Sequence, residues 1–158
     1  MTASDSTSTA SREIVINRVV DAPRELVWQA WTQPEHLAQW WGPNGFTSTI
    51  QEMDVRVGGL FRLVMHGMGQ DFPNLMQYLE VVEPERLVYD HGNGQPDDPN
   101  KFHVTVTFTE QDGKTEVTMR SLFATPEARD YVVREFGAIE GGRQTLARMA
   151  EHLATMQS

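Results

Sequence analysis

The 158-residue chain contains no cysteine, which excludes a thiol nucleophile, a thiolate zinc site and a disulfide framework. Basic residues are few: 13 Lys and Arg stand against 22 Asp and Glu, giving a formal charge of −9. This balance argues against nucleic acid or an anionic membrane as a general partner. No apolar run approaches the length of a membrane span, and residues 1–11 lack the basic and apolar regions of a secretory signal. We therefore expect a cytoplasmic protein.

What the chain does contain is typical of one globular domain: 39% of its residues are hydrophobic and 22% are charged. A domain of this length buries roughly two thirds of the surface of its unfolded chain, so it needs no disulfide or metal for stability. Residues 1–11 are almost entirely serine, threonine and alanine. We predict a disordered tail over residues 1–11 and a single domain over residues 12–158.

The order of the predicted elements is one strand, two short helices, about six strands and a long C-terminal helix. The first strand ends at Ala22-Pro23, and Gly42-Pro43 ends the second short helix. Strands that are segregated from helices in this way favour an α+β domain, with the last helix across the apolar face of the sheet.

The hairpin around Asp112-Gly113 gives the strongest register prediction, because this dipeptide favours a two-residue turn. The resulting register places four pairs on one face: Phe108 with Val117, Val106 with Met119, Val104 with Ser121, and Phe102 with Phe123. These residues are mostly apolar, whereas those between them are polar. One face of the sheet is therefore predicted to be buried and the other hydrated.

The C-terminal part is helical by pattern. Gly137 and Gly141-Gly142 suggest a short helix, a break and then a long helix. Apolar residues recur at helical spacing along the long helix, at Ile139, Leu146, Met149, Ala150, Leu153 and Met156.

Residues that could carry chemistry are sparse. The five histidines have no ligand spacing, although His66 and His91 lie on predicted strands near Asp71 and Asp90. Ordinary edge or surface histidines are the simpler interpretation. The sequence has no nucleophile-elbow motif, dinucleotide fingerprint or P-loop, and its paired carboxylates lie in proline-containing turns where solvated charge is the default. We predict no catalytic residue, no metal and no cofactor.

Large, soft side chains are more suggestive. Methionines and aromatic residues fall on elements predicted to face inward, and surfaces rich in methionine accommodate varied ligands. A plain hydrophobic core would give the same pattern. A long helix across a strongly curved sheet, however, tends to enclose a cavity where apolar ligands bind.

Several motifs together carry a family resemblance that covers residues 13–154. They are Asp21-Ala22-Pro23 with Val27-Trp28, the segments 31–37 (WTQPEHL), 40–43 (WWGP) and 54–59 (DVRVGG), the stretch 80–88 with Pro84 and Leu87, and Thr145-Leu146 to Leu153. The chain resembles the SRPBCC or START-like superfamily, most closely the family related to the activator of heat-shock-protein-ninety ATPase.

The resemblance implies a helix-grip fold: a curved antiparallel sheet of about six or seven strands around a long C-terminal helix, with two short helices after the first strand. This chain departs from the family pattern at Gly142, a position where family members often carry tryptophan. The missing side chain enlarges the cavity or simply loosens the start of the helix, at a cost of about 1 kcal/mol relative to alanine.

Our leading hypothesis is a non-enzymatic module that binds a small apolar or aromatic molecule. The predicted cavity residues are Trp40, Phe61, Met65, Tyr78, Tyr89, Met119, Phe136 and Met149, with His66, His91 and Gln144 as polar anchors. One alternative is a cyclase- or hydrolase-type enzyme that uses the histidines or tyrosines of the same cavity. The other is a protein that regulates a chaperone, although the single domain gives no reason to carry that activity over. An edge strand could pair with a second copy, but nothing in the sequence requires it.

Overall fold

The computed structural model describes residues 10–93, 98 and 101–157. Most of the predicted tail therefore lies outside the described residues, as do residues 94–97, 99 and 100. Ala10–Arg12 form one turn of 3-10 helix. The elements are β1 (Glu13–Val20), α1 (Arg24–Thr32), α2 (Pro34–Leu37), β2 (Thr47–Met53), β3 (Leu60–Gly67), β4 (Gln70–Val82), β5 (Arg86–Gly92), β6 (Phe102–Gln111), β7 (Lys114–Phe123), α3 (Pro126–Phe136) and α4 (Ala138–Met156).

The seven strands form one antiparallel sheet in the order β1-β7-β6-β5-β4-β3-β2. Every chain-consecutive pair from β2 to β7 is a neighbouring pair, and β1 closes the other edge beside β7. Register shifts interrupt β2 and β4, and such bulges increase the local bend of a sheet. The α+β architecture with its curved sheet and long C-terminal helix is thus confirmed, including the predicted β6–β7 register.

The core lies between the inner face of the sheet, α1 and the C-terminal half of α4. Leu146, Met149 and Leu153 of α4 are fully buried there. Trp31 of α1 packs edge-on against Trp40, Trp41 and Phe108 and donates its indole N–H to the Met149 sulfur at 3.0 Å. The indole N–H of Trp40 is satisfied by the Ala30 carbonyl at 3.1 Å. This end of the helix–sheet interface is therefore solidly packed.

The break between the two C-terminal helices lies at Gly137, which has φ +58° and ψ 44°, a left-handed conformation that favours glycine. The helix does not break at Gly141-Gly142, because α4 continues through both residues. α3 buries no residue completely, whereas α4 buries three. The two helices are thus attached to the sheet to different degrees.

Thr115 allows a first prediction on stability, because it is fully buried and its hydroxyl donates to the Ala22 carbonyl at 2.8 Å. Replacing Thr115 with valine leaves that carbonyl without its partner, so we expect the free energy of unfolding to fall by about 1–3 kcal/mol. Urea unfolding measures the change. Thr109→Val on the exposed part of β6 is the matched control, and an equal loss in both variants would contradict the assignment.

Candidate functional site

A cavity of about 720 Å³ lies between the sheet, α3 and the N-terminal half of α4. This volume is within the range of small-molecule sites, roughly 300–1,000 Å³. Six of the seven strands, or the turns beside them, contribute to its wall. The side chains from the sheet are Ile14, Ile16, Met65, Met68, Phe72, Pro73, Asn74, Tyr89, His91, Phe102, Val104, Met119, Ser121 and Phe123.

The helical roof of the cavity is made of small residues. Ala138, Gly141, Gly142 and Thr145 line it and recur at the i, i+3, i+4, i+7 spacing of one helix face. Leu146 and Met149, by contrast, fill the space between α4 and the sheet. The cavity exists because side chains on this face become small toward the N-terminus of α4.

Gly142 has a second role, because a Cβ atom there would overlap Ile16 Cδ1 of β1. A Cβ atom at Gly141 would instead meet the Pro43 ring at an ordinary 3.8 Å. The missing side chain at Gly142 therefore has two consequences for the structure. Its lack of a side chain lets α4 approach β1, and it also leaves the cavity roof bare.

The loop after α2 forms a side wall that α4 holds in place. Arg148 donates through Nη1 to the carbonyls of Gly42 at 2.7 Å and Pro43 at 3.0 Å. One turn earlier, the Gln144 side-chain oxygen accepts from the backbone N–H of Asn44 at 3.1 Å. The adjacent residues Trp41, Gly42 and Pro43 line the cavity. The position of this wall is thus coupled to α4.

Polar groups in the wall form one short chain of hydrogen bonds. The Asn74 amide nitrogen donates to the Phe72 carbonyl at 2.9 Å, and Asn74 Oδ1 lies 2.6 Å from His91 Nε2. The His91 ring is flanked by Phe102 and Trp41, with centroids 4.7 and 6.3 Å away. Burial lowers the pKa of His91 to about 4, although the nearby Asp98 carboxylate acts in the opposite direction. The imidazole is therefore neutral at pH 7.

Tyr89 lines the same wall, and its buried hydroxyl has no hydrogen-bond partner among the described residues. Burial raises the pKa of Tyr89 well above its usual value, and the neighbouring Tyr78 adds to this effect. Within the described part of the wall, Asp98 is the one Asp, Glu, Lys or Arg residue. The cavity surface is otherwise aromatic, aliphatic or neutral polar.

The structure brings five of the eleven predicted site residues together on the cavity wall. They are Met65 of β3, Tyr89 and His91 of β5, Met119 of β7 and Phe136 at the end of α3. Phe136 is more than half exposed and lies at the rim, beside Tyr131.

Four predicted lining residues are part of the packed core instead, namely Trp40, Phe61, Tyr78 and Met149. Phe61 stacks on Tyr78, Trp40 packs edge-on against Trp31, and the Met149 sulfur accepts a hydrogen bond from the Trp31 indole. They face inward as predicted. They lie at the end of the helix–sheet interface that large side chains close, so the cavity does not reach them.

Two predicted polar anchors also lie elsewhere. His66 follows Met65, so strand alternation turns it to the outer face, where it bonds Asp71 and Thr49, each at 2.8 Å. Gln144 is committed to the backbone of Asn44 and acts on the loop wall. The His/carboxylate pairs that do form, His66 with Asp71 and His103 with Asp90, are separate from His91.

Sequence reasoning missed several wall residues, including Trp41, Phe46, Phe72, Asn74, Phe102 and Phe123. Asn74 carried a usable signal, because it shares strand parity with Phe72 and Met76 and so interrupts an inward-facing row with a polar group. A buried amide needs partners, which points to a neighbouring polar residue such as His91. No comparable signal marks Phe46, which precedes β2.

The other histidine contact links α2 to α4, where His36 Nδ1 lies 3.0 Å from His152 Nε2. Partial burial and the neighbouring His36 lower the pKa of His152. Across residues 10–93, 98 and 101–157, no group of three or more His, Cys, Asp or Glu side chains could hold a metal ion. Over the same residues, no helix has the length and apolar character needed to cross a membrane.

Comparison with known proteins identifies the family of this chain. The profile of the family described as Activator of Hsp90 ATPase homolog 1-like protein matches residues 21–154. No curated protein matches the chain.

Solved structures share the fold of this chain. A Nitrosomonas europaea protein is 27% identical over 93% of this chain and 97% of its own, with a TM-score of 0.81. A protein from Arthrobacter aurescens is 25% identical over 94% of this chain and 90% of its own, with a TM-score of 0.85. The AHSA1-like protein from Aeromonas hydrophila shares the fold at 22% identity and a TM-score of 0.72, over 92% and 94% of the two chains. The helix-grip fold is thus confirmed.

Proposed function

The chain belongs to the Activator of Hsp90 ATPase homolog 1-like family, and from this premise we propose that it binds a small apolar or aromatic molecule in the cavity beneath α4. The observation that carries the proposal is the volume of about 720 Å³, surrounded by apolar side chains from six strands. Small-molecule sites are typically concave and mostly apolar, because such a shape buries most of the surface of the ligand. A retained space of this size and composition is suited to a ligand.

Enzymatic use of the same cavity has less support. A general acid or base works best with a pKa near the operating pH. The pKa of Tyr78 and of Tyr89 is raised by burial, and that of His91 is lowered to about 4. None of these three groups is poised near neutrality, and His91 is bonded to an amide instead of a carboxylate. The proposal does not include stimulation of a chaperone ATPase, because it is based on a concave apolar pocket and not on a flat exposed patch.

Two measurements test the proposal. Native mass spectrometry of the purified protein should show an added mass that disappears on denaturation. Titration with N-phenyl-1-naphthylamine, an uncharged fluorescent hydrophobe, should show saturable binding of one molecule per chain.

Val19→Trp provides the control for that titration, because Val19 is 60% exposed and outside the cavity wall, and the variant should bind the probe normally. A native spectrum without added mass together with no saturable probe binding would contradict the proposal.

A further inference from the structure

The hydrogen-bond chain in the wall fixes which nitrogen of His91 carries a proton. A backbone carbonyl can only accept, so the Asn74 group that lies 2.9 Å from the Phe72 oxygen is the NH₂ group. This orientation turns Asn74 Oδ1 toward His91, and an amide oxygen accepts. His91 Nε2, at 2.6 Å, therefore donates and bears the hydrogen of the neutral ring.

The other nitrogen, Nδ1, is then a hydrogen-bond acceptor. No described residue donates to it, and His91 is part of the cavity wall between Trp41, Tyr89 and Phe102. Burial keeps the ring neutral at pH 7, since the pKa is lowered to about 4. His91 is half-buried, and a molecule that covered Nδ1 without donating to it would leave this acceptor unpaired at a cost in binding free energy. A ligand that covers Nδ1 should therefore supply a hydrogen-bond donor.

We infer that the cavity selects an uncharged apolar molecule that carries a hydroxyl group, and that this hydroxyl donates its hydrogen to His91 Nδ1. The inference rests on the proposed function and deepens it by assigning the polar group of the ligand. Asn74 acts as a positioning residue, because its bond to Nε2 leaves Nδ1 as the acceptor.

The charges of the wall exclude the most common alternative, a carboxylate. Within the described wall no lysine or arginine side chain is present to pair with an anion. A carboxylate would also bring only acceptors to an acceptor, at the full cost of its desolvation. An ether could enter the cavity but could not donate to Nδ1.

Three probes with the same ring system separate these cases: 2-naphthol, 2-methoxynaphthalene and 2-naphthoate. Calorimetric titration at pH 7 should rank 2-naphthol first, about three- to ten-fold tighter than the ether, which is the usual range for one hydrogen bond. The anion should bind weakest. Equal affinities for 2-naphthol and the ether would overturn the inference and leave the proposed function standing. Failure of all three probes to bind would count against both.

A pair of variants locates the effect. In His91→Phe, 2-naphthol should lose its advantage over the ether, because the acceptor is gone and an aromatic ring remains. His103→Phe is the matched control, since His103 is the residue on β6 that bonds Asp90 outside the cavity wall. The advantage should persist there. Persistence in His91→Phe would overturn the role of His91.

NMR of the wild-type protein gives a test that needs no variant to fold. The imidazole ¹⁵N spectrum should show His91 with hydrogen on Nε2 and an unprotonated Nδ1. Addition of 2-naphthol should shift the Nδ1 resonance toward that of a hydrogen-bonded nitrogen, whereas 2-methoxynaphthalene should not. A hydrogen on Nδ1 in the free protein would overturn the inference.

Discussion

Replacing Gly142 with tryptophan is expected to abolish binding of N-phenyl-1-naphthylamine, a loss of more than about a hundredfold in affinity. Gly142 lines the cavity roof, and any side chain there must displace Ile16 Cδ1 and occupy the space that the probe needs. Ile16 Cδ1 is the end of a flexible side chain that itself borders the cavity, so the displaced group moves into the cavity as well. Fluorescence titration measures the loss.

A second variant that fills the cavity distinguishes loss of probe binding from loss of folding. Ser121→Trp fills the same cavity from β7, on the sheet side, where Ser121 lies opposite Val104. Both variants should lose binding while circular dichroism shows a folded protein. Normal probe binding in a folded Gly142→Trp or Ser121→Trp protein would show that the probe binds elsewhere.

The alanine variants at 141 and 142 form a matched pair for stability. Each gains about 1 kcal/mol of helix propensity over glycine. Only Gly142→Ala places a Cβ against Ile16, whereas Gly141→Ala makes ordinary contact with Pro43. Gly141→Ala should therefore be the more stable of the two in urea unfolding, and the reverse order would contradict the close approach of α4 to β1.

Acid should destabilise the protein through His91. Its pKa is about 4 in the folded protein, whereas an unfolded chain has the ordinary histidine pKa of 6.5. Between these values the unfolded state binds more protons, so stability is complete above the unfolded pKa and is lost as the pH falls toward 4. The expected contribution is about 3 kcal/mol, at about 1.4 kcal/mol for each unit of pKa.

The same His91→Phe variant isolates this contribution from the carboxylates and from His152, whose pKa is also lowered. Urea unfolding at several pH values between about 7 and 4 should show a smaller loss in the variant than in the wild type. The difference between the two curves should grow steadily across this range. Parallel curves would show that His91 titrates in the folded protein as it does in the unfolded chain.

Local patterns were sufficient to predict much of the fold. Asp112-Gly113 permits only a tight turn, and strand alternation then determines every pair of the β6–β7 hairpin as observed. The same alternation shows that Met65 faces inward, and it would also have excluded His66, its outward neighbour. These features depend on residues close together in the chain.

The site was harder to predict because the cavity is a property of position along the helix–sheet interface. Tyr78 and Tyr89 are cross-strand partners, both buried, yet only Tyr89 borders the cavity. Periodicity reports which face a residue occupies and not how far it lies from Gly142 or Met149. That distance depends on how α4 crosses the sheet, which no short sequence pattern encodes.

Because α3 and α4 are attached to the sheet to different degrees, we expect the rate of ligand exchange and the stability of the fold to depend on different parts of the domain. α3 completely buries no residue, but its Val132 and Phe136 close one side of the cavity, with Gly137 as its junction to α4. Displacing α3 breaks fewer buried contacts than displacing α4 or the sheet. We therefore expect the residence time of a molecule bound in the cavity to depend on α3, and the free energy of unfolding to depend on the core around Trp31. Mutations in α3 can therefore change how fast a ligand leaves without changing how stably the domain folds.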